Sequence, residues 1–137
     1  MEEKNIGKKI FIVDDDKFLL NMYSSKFAGK GFDVEHTLGS ADALDKLRGG
    51  ADPDVILLDI VMPGMDGFEL LSTIKTEGLA PHAKVLMFSS LGQEADIEKS
   101  RTMGANGYVI KALATPSEVV EQVVTILEGG DSFAHAY

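Results

Sequence analysis

The sequence of 137 residues contains no cysteine, which excludes a disulfide framework and a metal site built from thiolates. Basic residues are scarce, since 13 Lys and Arg stand against 22 Asp and Glu, and the net charge is −9. Because nucleic-acid phosphates select basic surfaces, this balance argues against direct nucleic-acid binding. The chain also lacks a signal-peptide pattern and any apolar run of membrane-spanning length. These absences predict a cytoplasmic protein with no membrane segment.

What the chain does contain is a regular alternation of short β-branched runs and segments with helical periodicity. The clearest helix starts are Asp66, with Glu69 three residues later, and Thr115, which precedes Pro116 and Glu118. Five strands that alternate with five helices predict an α/β fold, in which helices cover both faces of a parallel sheet. The predicted strands are residues 10–13, 32–37, 55–58, 84–88 and 107–110.

Length and composition indicate one domain with a sizeable core. Hydrophobic residues make up 45% of the chain and charged residues 26%, as in ordinary globular proteins. There are no internal repeats, low-complexity segments or linkers. We expect residues 4–129 to form the domain and residues 130–137 to form a flexible tail.

Polar side chains follow four of the five predicted strands, at the point where each strand ends. Asp14 and Asp15 follow the first strand and Asp59 the third, whereas Ser89 follows the fourth and Lys111 the fifth. The carboxyl ends of parallel strands meet at one edge of a sheet, where such folds bind ligands. Two carboxylates about 4 Å apart repel each other by roughly 4 kcal/mol at an effective dielectric near 20. Three of them therefore need a cation or a proton.

Carboxylate oxygens at a solvent-facing edge are ligands that Mg²⁺ prefers, whereas Zn²⁺ would favour Cys or clustered His. The three histidines are scattered along the chain, at His36, His82 and His135. Ser89 and Lys111 supply a hydroxyl and an ammonium that would hold an anion beside the cation. The pattern indicates a phosphoryl group among Mg²⁺, Ser89 and Lys111, with Asp59 as a candidate nucleophile.

Taken together, these motifs resemble a response-regulator receiver domain, the phosphoacceptor module of two-component signalling. The resemblance covers about residues 8–128 and rests on four blocks: IVDDD, LLDIVMPGMDG, VLMFSS and GYVIK. It implies a flavodoxin-like, doubly wound sheet of five parallel strands in the order 2-1-3-4-5. It also implies a protein that is not an enzyme beyond its own phosphorylation from a donor and its own dephosphorylation.

The resemblance assigns roles to the residues at the strand ends. Asp59 would accept the phosphoryl group from a histidine kinase or a histidine phosphotransfer protein. Asp14, Asp15 and Asp59, with the main-chain carbonyl of Val61, would hold Mg²⁺. Lys111 would pair with Asp59 or with its phosphate.

A conformational switch is implied in the same way. Ser89 would bond to the phosphoryl oxygen, and Tyr108 would follow Ser89 into the space that it vacates. The face formed by the fourth helix, the fifth strand and the fifth helix would then change shape and bind a downstream protein. A dimer that forms on phosphorylation is left open.

Two positions depart from the family pattern. The lysine is commonly followed by proline, often in a cis peptide, but here Ala112 follows Lys111. A cis bond before another residue costs about 3 kcal/mol, which favours a trans peptide and a less rigidly aimed lysine, but the sequence leaves the isomer open. Val61 and Leu91 are apolar where family members often carry polar groups near the attacking water. This pair predicts slow self-dephosphorylation.

Two alternative functions are weighed against the phosphoacceptor. A docking module that works without phosphorylation is favoured only by Ala112. A phosphatase that forms a phosphoaspartate would use the Asp-x-Asp of residues 14–16, but Phe18 stands where Thr or Val is expected. Asp16 is more simply interpreted as the N-cap of the first helix.

Overall fold

Six strands and five helices alternate along residues 7–134, the part of the chain that the computed structural model describes. The strands β1 to β6 are Lys9–Asp14, Asp33–Leu38, Val55–Leu58, Lys84–Ser89, Gly107–Ile110 and Ser132–Phe133. The helices α1 to α5 are Lys17–Gly29, Ser40–Arg48, Gly67–Glu77, Glu94–Thr102 and Pro116–Leu127. A short 3₁₀ turn at Lys111–Leu113, which the sequence did not predict, follows β5.

All strands lie parallel in one sheet of order β2-β1-β3-β4-β5-β6. The predicted α/β fold and the order 2-1-3-4-5 are confirmed, with β6 added beyond β5. The strand order reverses between β1 and β3, so the carboxyl ends of these two strands flank the crevice where doubly wound sheets bind ligands. Asp14 ends β1 and Asp59 follows β3.

Helices cover the sheet on both faces, which is why the central strands are apolar on both sides. Helices α1 and α5 pack on one face, and α2, α3 and α4 pack on the other. Alternate residues of each central strand face the two layers. The first layer contains Ile10, Ile12, Val55, Leu57, Leu86 and Phe88, and the second contains Phe11, Val13, Ile56, Leu58, Val85 and Met87.

Both predicted capping boxes are present. The Asp66 side chain accepts from Glu69 N–H at 2.9 Å while the Glu69 side chain accepts from Asp66 N–H at 3.1 Å. Thr115 and Glu118 make the same reciprocal pair at the start of α5. Asp16 is the N-cap of α1, and its carboxylate accepts from Leu19 N–H at 3.2 Å. These caps fix the helix starts next to the carboxyl ends of the strands.

The prediction of a flexible tail over residues 130–137 is corrected for Ser132 and Phe133, which form β6. Ser132 N–H donates to the Asn106 carbonyl at 3.1 Å, and Ala134 N–H donates to the Tyr108 carbonyl at 2.9 Å. Without β6, these carbonyl groups at the outer edge of β5 would have no strand partner. Residues 135–137, the end of that predicted tail, lie outside the described residues, as do residues 4–6 of the predicted domain. Within the described range, no helix combines the length and apolarity needed to cross a membrane.

Candidate functional site

Three carboxylates meet at the carboxyl ends of β1 and β3, as the sequence predicted. Asp14 is 2% exposed and Asp59 is 3% exposed, whereas Asp15 lies open to solvent. The Asp59 N–H donates to the Val13 carbonyl at 2.9 Å, which extends the β1–β3 pairing by one residue. One carboxylate oxygen from each of Asp14, Asp15 and Asp59 lies within 4.8 Å of the others.

Among residues 7–134, Lys111 supplies the only cation that forms salt bridges with this cluster. Its Nζ lies 3.0 Å from Asp14 Oδ2 and 3.3 Å from Asp59 Oδ1, and 5.1 Å from the centre of the Phe88 ring. Burial lowers the pKa of the Lys111 ammonium, but the charge of Asp59 and the bonds to Asp14 outweigh it and raise the pKa overall. Lys111 therefore stays charged and compensates part of the negative charge.

One ammonium does not balance three carboxylates, and the Asp59 carboxyl shows the consequence. Burial, followed by the charge of Asp14, raises the pKa of Asp59 to about 7, with Lys111 opposing and Asp15 adding a smaller increase. Carboxylate oxygens without sulfur or imidazole form a cluster that could bind a hard divalent metal ion. Its ligands would be Asp14, Asp15 and Asp59.

The Lys111–Ala112 peptide, which the sequence left open, is trans, and no cis peptide bond occurs in residues 7–134. Lys111 begins the 3₁₀ turn that leads from β5 toward α5. Its two ion pairs show that the lysine reaches both buried carboxylates without the proline that is common in the family.

Ser89 and Tyr108 are joined through the backbone of Leu91. The Ser89 hydroxyl, 0% exposed, accepts from Leu91 N–H at 3.1 Å, and the Tyr108 hydroxyl donates to the Leu91 carbonyl at 2.6 Å. The Tyr108 ring is itself fully buried against the core, and this burial raises its pKa to about 12. The structure therefore connects Ser89 and Tyr108 by hydrogen bonds through Leu91, and the Tyr108 ring is already buried. The predicted movement of Tyr108 after Ser89 stays a prediction.

Val61, the remaining predicted ligand, lies in the loop after β3 with its side chain 53% exposed. Its assignment through the main-chain carbonyl stays a prediction.

Gly67 is a positioning residue that the sequence analysis did not single out. A Cβ at this position would overlap the Asp59 carbonyl oxygen and would lie 2.7 Å from the Cα of Ile60. The Gly67 N–H donates to the Ile60 carbonyl at 2.8 Å, so the first turn of α3 packs directly on the backbone that carries Asp59. The sequence held one indication of this contact: Gly67 belongs to the same motif, LLDIVMPGMDG, as Asp59 and follows it after a short loop.

The fold and the site define a class: a doubly wound α/β domain with an acidic cluster, a lysine and a buried hydroxyl at the carboxyl ends of its strands. The family model for the response regulator receiver domain matches residues 10–124. The chain belongs to this family. It is thus a receiver domain of two-component response regulators, a class that works in phosphorelay signalling.

Known proteins similar to the chain agree with this placement. The chemotaxis protein CheY of Halobacterium salinarum is 30% identical over 122 residues, covering 88% of this chain and 99% of that protein. The regulator of RpoS from Escherichia coli is 32% identical over 93% of this chain, which spans only 37% of that longer protein. The solved CheY-like receiver domain protein from Methanospirillum hungatei superposes with a TM-score of 0.81 at 27% identity, covering 89% of this chain and 94% of that one.

Proposed function

We propose that this chain accepts a phosphoryl group on Asp59 from the phosphohistidine of a histidine kinase or a histidine phosphotransfer protein. The observation that carries the proposal is the placement of Asp59, which is buried beside Lys111 and shares one cluster with Asp14 and Asp15. A carboxylate held among a cation and two metal-binding groups is suited to act as a nucleophile toward phosphorus.

In the proposed step, an Asp59 carboxylate oxygen forms a bond to phosphorus while the bond from phosphorus to the donor imidazole breaks in line. The imidazole leaves with the electron pair, and the product is an acyl phosphate on Asp59. Lys111 would bind a phosphoryl oxygen, and Ser89 would turn its hydroxyl toward another. Mg²⁺ held by Asp14, Asp15 and Asp59 would neutralise charge on the phosphoryl oxygens. We propose that the chain does not act as an enzyme with multiple turnover.

The surface around the cluster supports a protein as the donor. Within the described part of the chain, four large apolar side chains are exposed, and all four lie near the carboxyl ends of the strands, where a donor would approach Asp59. They are Phe18, 75% exposed, Leu38 and Val61, each 53%, and Leu113, 58%. Exposed apolar groups concentrated at one edge are typical of a protein-binding surface.

Intact-protein mass spectrometry after incubation with acetyl phosphate tests the proposal. We expect the wild-type chain to gain one phosphoryl group in the presence of Mg²⁺ and none in EDTA. Asp59→Asn should gain none, because the amide is not a nucleophile. Asp42→Asn, the same exchange at an exposed position in α2, serves as the matched control and should label like wild type. Labelling that persists in Asp59→Asn would place the acceptor elsewhere.

Val61 and Leu91 lead to a second prediction, that of a long-lived phosphorylated state. Neither side chain can position a water molecule by hydrogen bonding. We expect Val61→Asn to hydrolyse its phosphoaspartate about tenfold faster, a modest part of what a full general base supplies. The loss of the added phosphoryl mass after removal of the donor measures this rate. Val61→Ala is the control for lost bulk, and equal rates in the Asn variant and wild type would contradict the explanation.

The rival docking function is weakened by the geometry. Its supporting feature was Ala112, yet Lys111 contacts Asp14 and Asp59 in spite of it.

A further inference from the structure

The outer edge of β5 is occupied by the chain's own residues 132–134. In the register of β6, Ser132 pairs with Gly107 and Phe133 pairs with Tyr108. This edge belongs to the face of α4, β5 and α5, to which a downstream protein was predicted to bind. The position of β6 therefore bears on access to that face.

Side chains tie β6 to both neighbouring helices. The guanidinium of Arg101 in α4 lies 4.0 Å from the centre of the Phe133 ring, and the Ser132 hydroxyl donates to Gln122 Oε1 of α5 at 2.8 Å. Gly107 leaves the space for this approach, because a Cβ there would overlap the Ser132 carbonyl oxygen and lie 2.7 Å from Leu86 Cδ1. The close approach of β6 therefore depends on Gly107, and β6 contacts both α4 and α5.

The attachment of β6 is nevertheless weak enough to be reversible. The strand has two residues, and its pairing reaches only Gly107 and Tyr108 of β5. Gly129, with a φ of 97°, and Gly130 connect it to α5. Short, half-buried edge segments open at much lower free energy than core strands. We therefore expect the release of β6 to cost much less free energy than the opening of a core strand.

A continuous path of hydrogen bonds joins β6 to the phosphoacceptor site. The Ser89 hydroxyl accepts from Leu91 N–H, the Leu91 carbonyl accepts from the Tyr108 hydroxyl, and the Tyr108 carbonyl accepts from Ala134 N–H. If Ser89 turns toward a phosphoryl oxygen, Leu91 N–H loses its acceptor. The loop that holds the Tyr108 hydroxyl would then rearrange, and Tyr108 is the residue whose carbonyl accepts from Ala134 N–H beside β6.

We propose that residues 132–134 are a built-in occupant of the α4–β5–α5 face, and that phosphorylation of Asp59 favours its release. A downstream protein binds this face once β6 has left. The proposal rests on the proposed function, since it needs Asp59 as the phosphoacceptor. Because coupling between two sites is reciprocal, release of β6 must in turn favour the phosphorylated form.

Ala134→Pro provides the test, because proline removes the N–H that donates to Tyr108 while leaving Phe133 in place. Ala134→Ser keeps this N–H and is the matched control. We use beryllofluoride with Mg²⁺, a tetrahedral phosphoryl analogue that binds carboxylates reversibly. We expect Ala134→Pro to bind it about fivefold or more tightly than wild type and Ala134→Ser to bind it as wild type does. Phe133→Ala, which removes the ring beneath Arg101, should act like the proline variant.

Amide hydrogen exchange of Ser132 reports β6 directly in the same samples. Beryllofluoride should accelerate this exchange in the wild-type chain about fivefold or more. Normal beryllofluoride binding with unchanged Ser132 exchange, or equal affinity in Ala134→Pro and wild type, would overturn this inference and leave the proposed function standing. A wild-type chain that binds no beryllofluoride would overturn both, and the binding measurement itself tells the two failures apart.

Discussion

In the absence of divalent metal ions, Asp59→Asn should be more stable than the wild-type chain at pH 8 by about 2–4 kcal/mol. The folded chain raises the pKa of Asp59 from 3.8 to about 7, mainly through burial and the charge of Asp14. A raised carboxyl pKa stabilises the folded state fully below about pH 4, and this contribution is lost as the pH rises through about 7. The wild-type chain loses about 4 kcal/mol of stability in this way. Asp59→Asn avoids this loss but gives up the ion pair with Lys111, so its net advantage is smaller.

Urea denaturation of both proteins in EDTA at pH 5 and pH 8 measures this difference. The advantage of Asp59→Asn should grow between the two pH values, because the wild-type carboxyl still holds its proton at pH 5. Added Mg²⁺ should stabilise wild type more than the variant, since only wild type offers all three carboxylates. Asp42→Asn, the same exchange at an exposed position in α2, is measured in parallel as the control. A stability difference that is the same at pH 5 and pH 8 would contradict the raised pKa.

Hydrophobic periodicity predicted the core strands and helices closely, because the burial of a strand or helix constrains which residues it can contain. The bounds of β3 and β5 agree with the predicted ones, and both capping boxes start their helices at the predicted residues. A strand buried on both faces must be apolar throughout, and a helix must satisfy its first N–H groups. Both requirements restrict the residue types within a short segment, so they can be recognised in a single sequence.

β6 could not be predicted in this way. Ser132 and Phe133 show neither alternation nor an apolar run, and two residues are too few for either pattern. Their conformation depends on partners far away in the sequence: the free edge of β5, the missing side chain of Gly107 and the ring contact with Arg101. Tertiary contacts, rather than local propensity, determine such an edge strand.

At the site, the sequence and its resemblance predicted which groups meet and that Lys111 pairs with Asp59, but not that Lys111 also contacts Asp14. The strand ends placed Asp14, Asp59 and Lys111 at one edge, because the carboxyl ends of parallel strands point the same way. That Lys111 contacts both buried carboxylates, and that Leu91 joins Ser89 to Tyr108, depends on loop conformations. Nothing in the sequence indicated that the main chain of Leu91 would join Ser89 to Tyr108, so this connection appeared only in the structure.

Gly67→Ala should both destabilise the chain and disable Asp59. The new Cβ would overlap the Asp59 carbonyl oxygen and approach the Ile60 Cα to 2.7 Å, and neither backbone atom can move aside as a flexible side chain would. Overpacking of this kind costs about 1–3 kcal/mol, and against backbone we expect the upper end of that range. Since a displacement of about 1 Å can cost 10²-fold in rate, Mg²⁺-dependent labelling by acetyl phosphate should fall by about that factor.

Gly29→Ala is the matched control for this prediction. Gly29 ends α1, and apart from its chain neighbours and the backbone of its own helix no atom lies within 4 Å of an added methyl group, so it should tolerate the same change. Helix propensity alone would make either substitution stabilising by up to about 1 kcal/mol, so a loss at Gly67 has to come from the contact with Asp59. Urea denaturation and the labelling rate, measured on both variants, separate the two effects. If Gly67→Ala were as stable as Gly29→Ala and labelled at the wild-type rate, the close packing of α3 on Asp59 would not be what positions the phosphoacceptor.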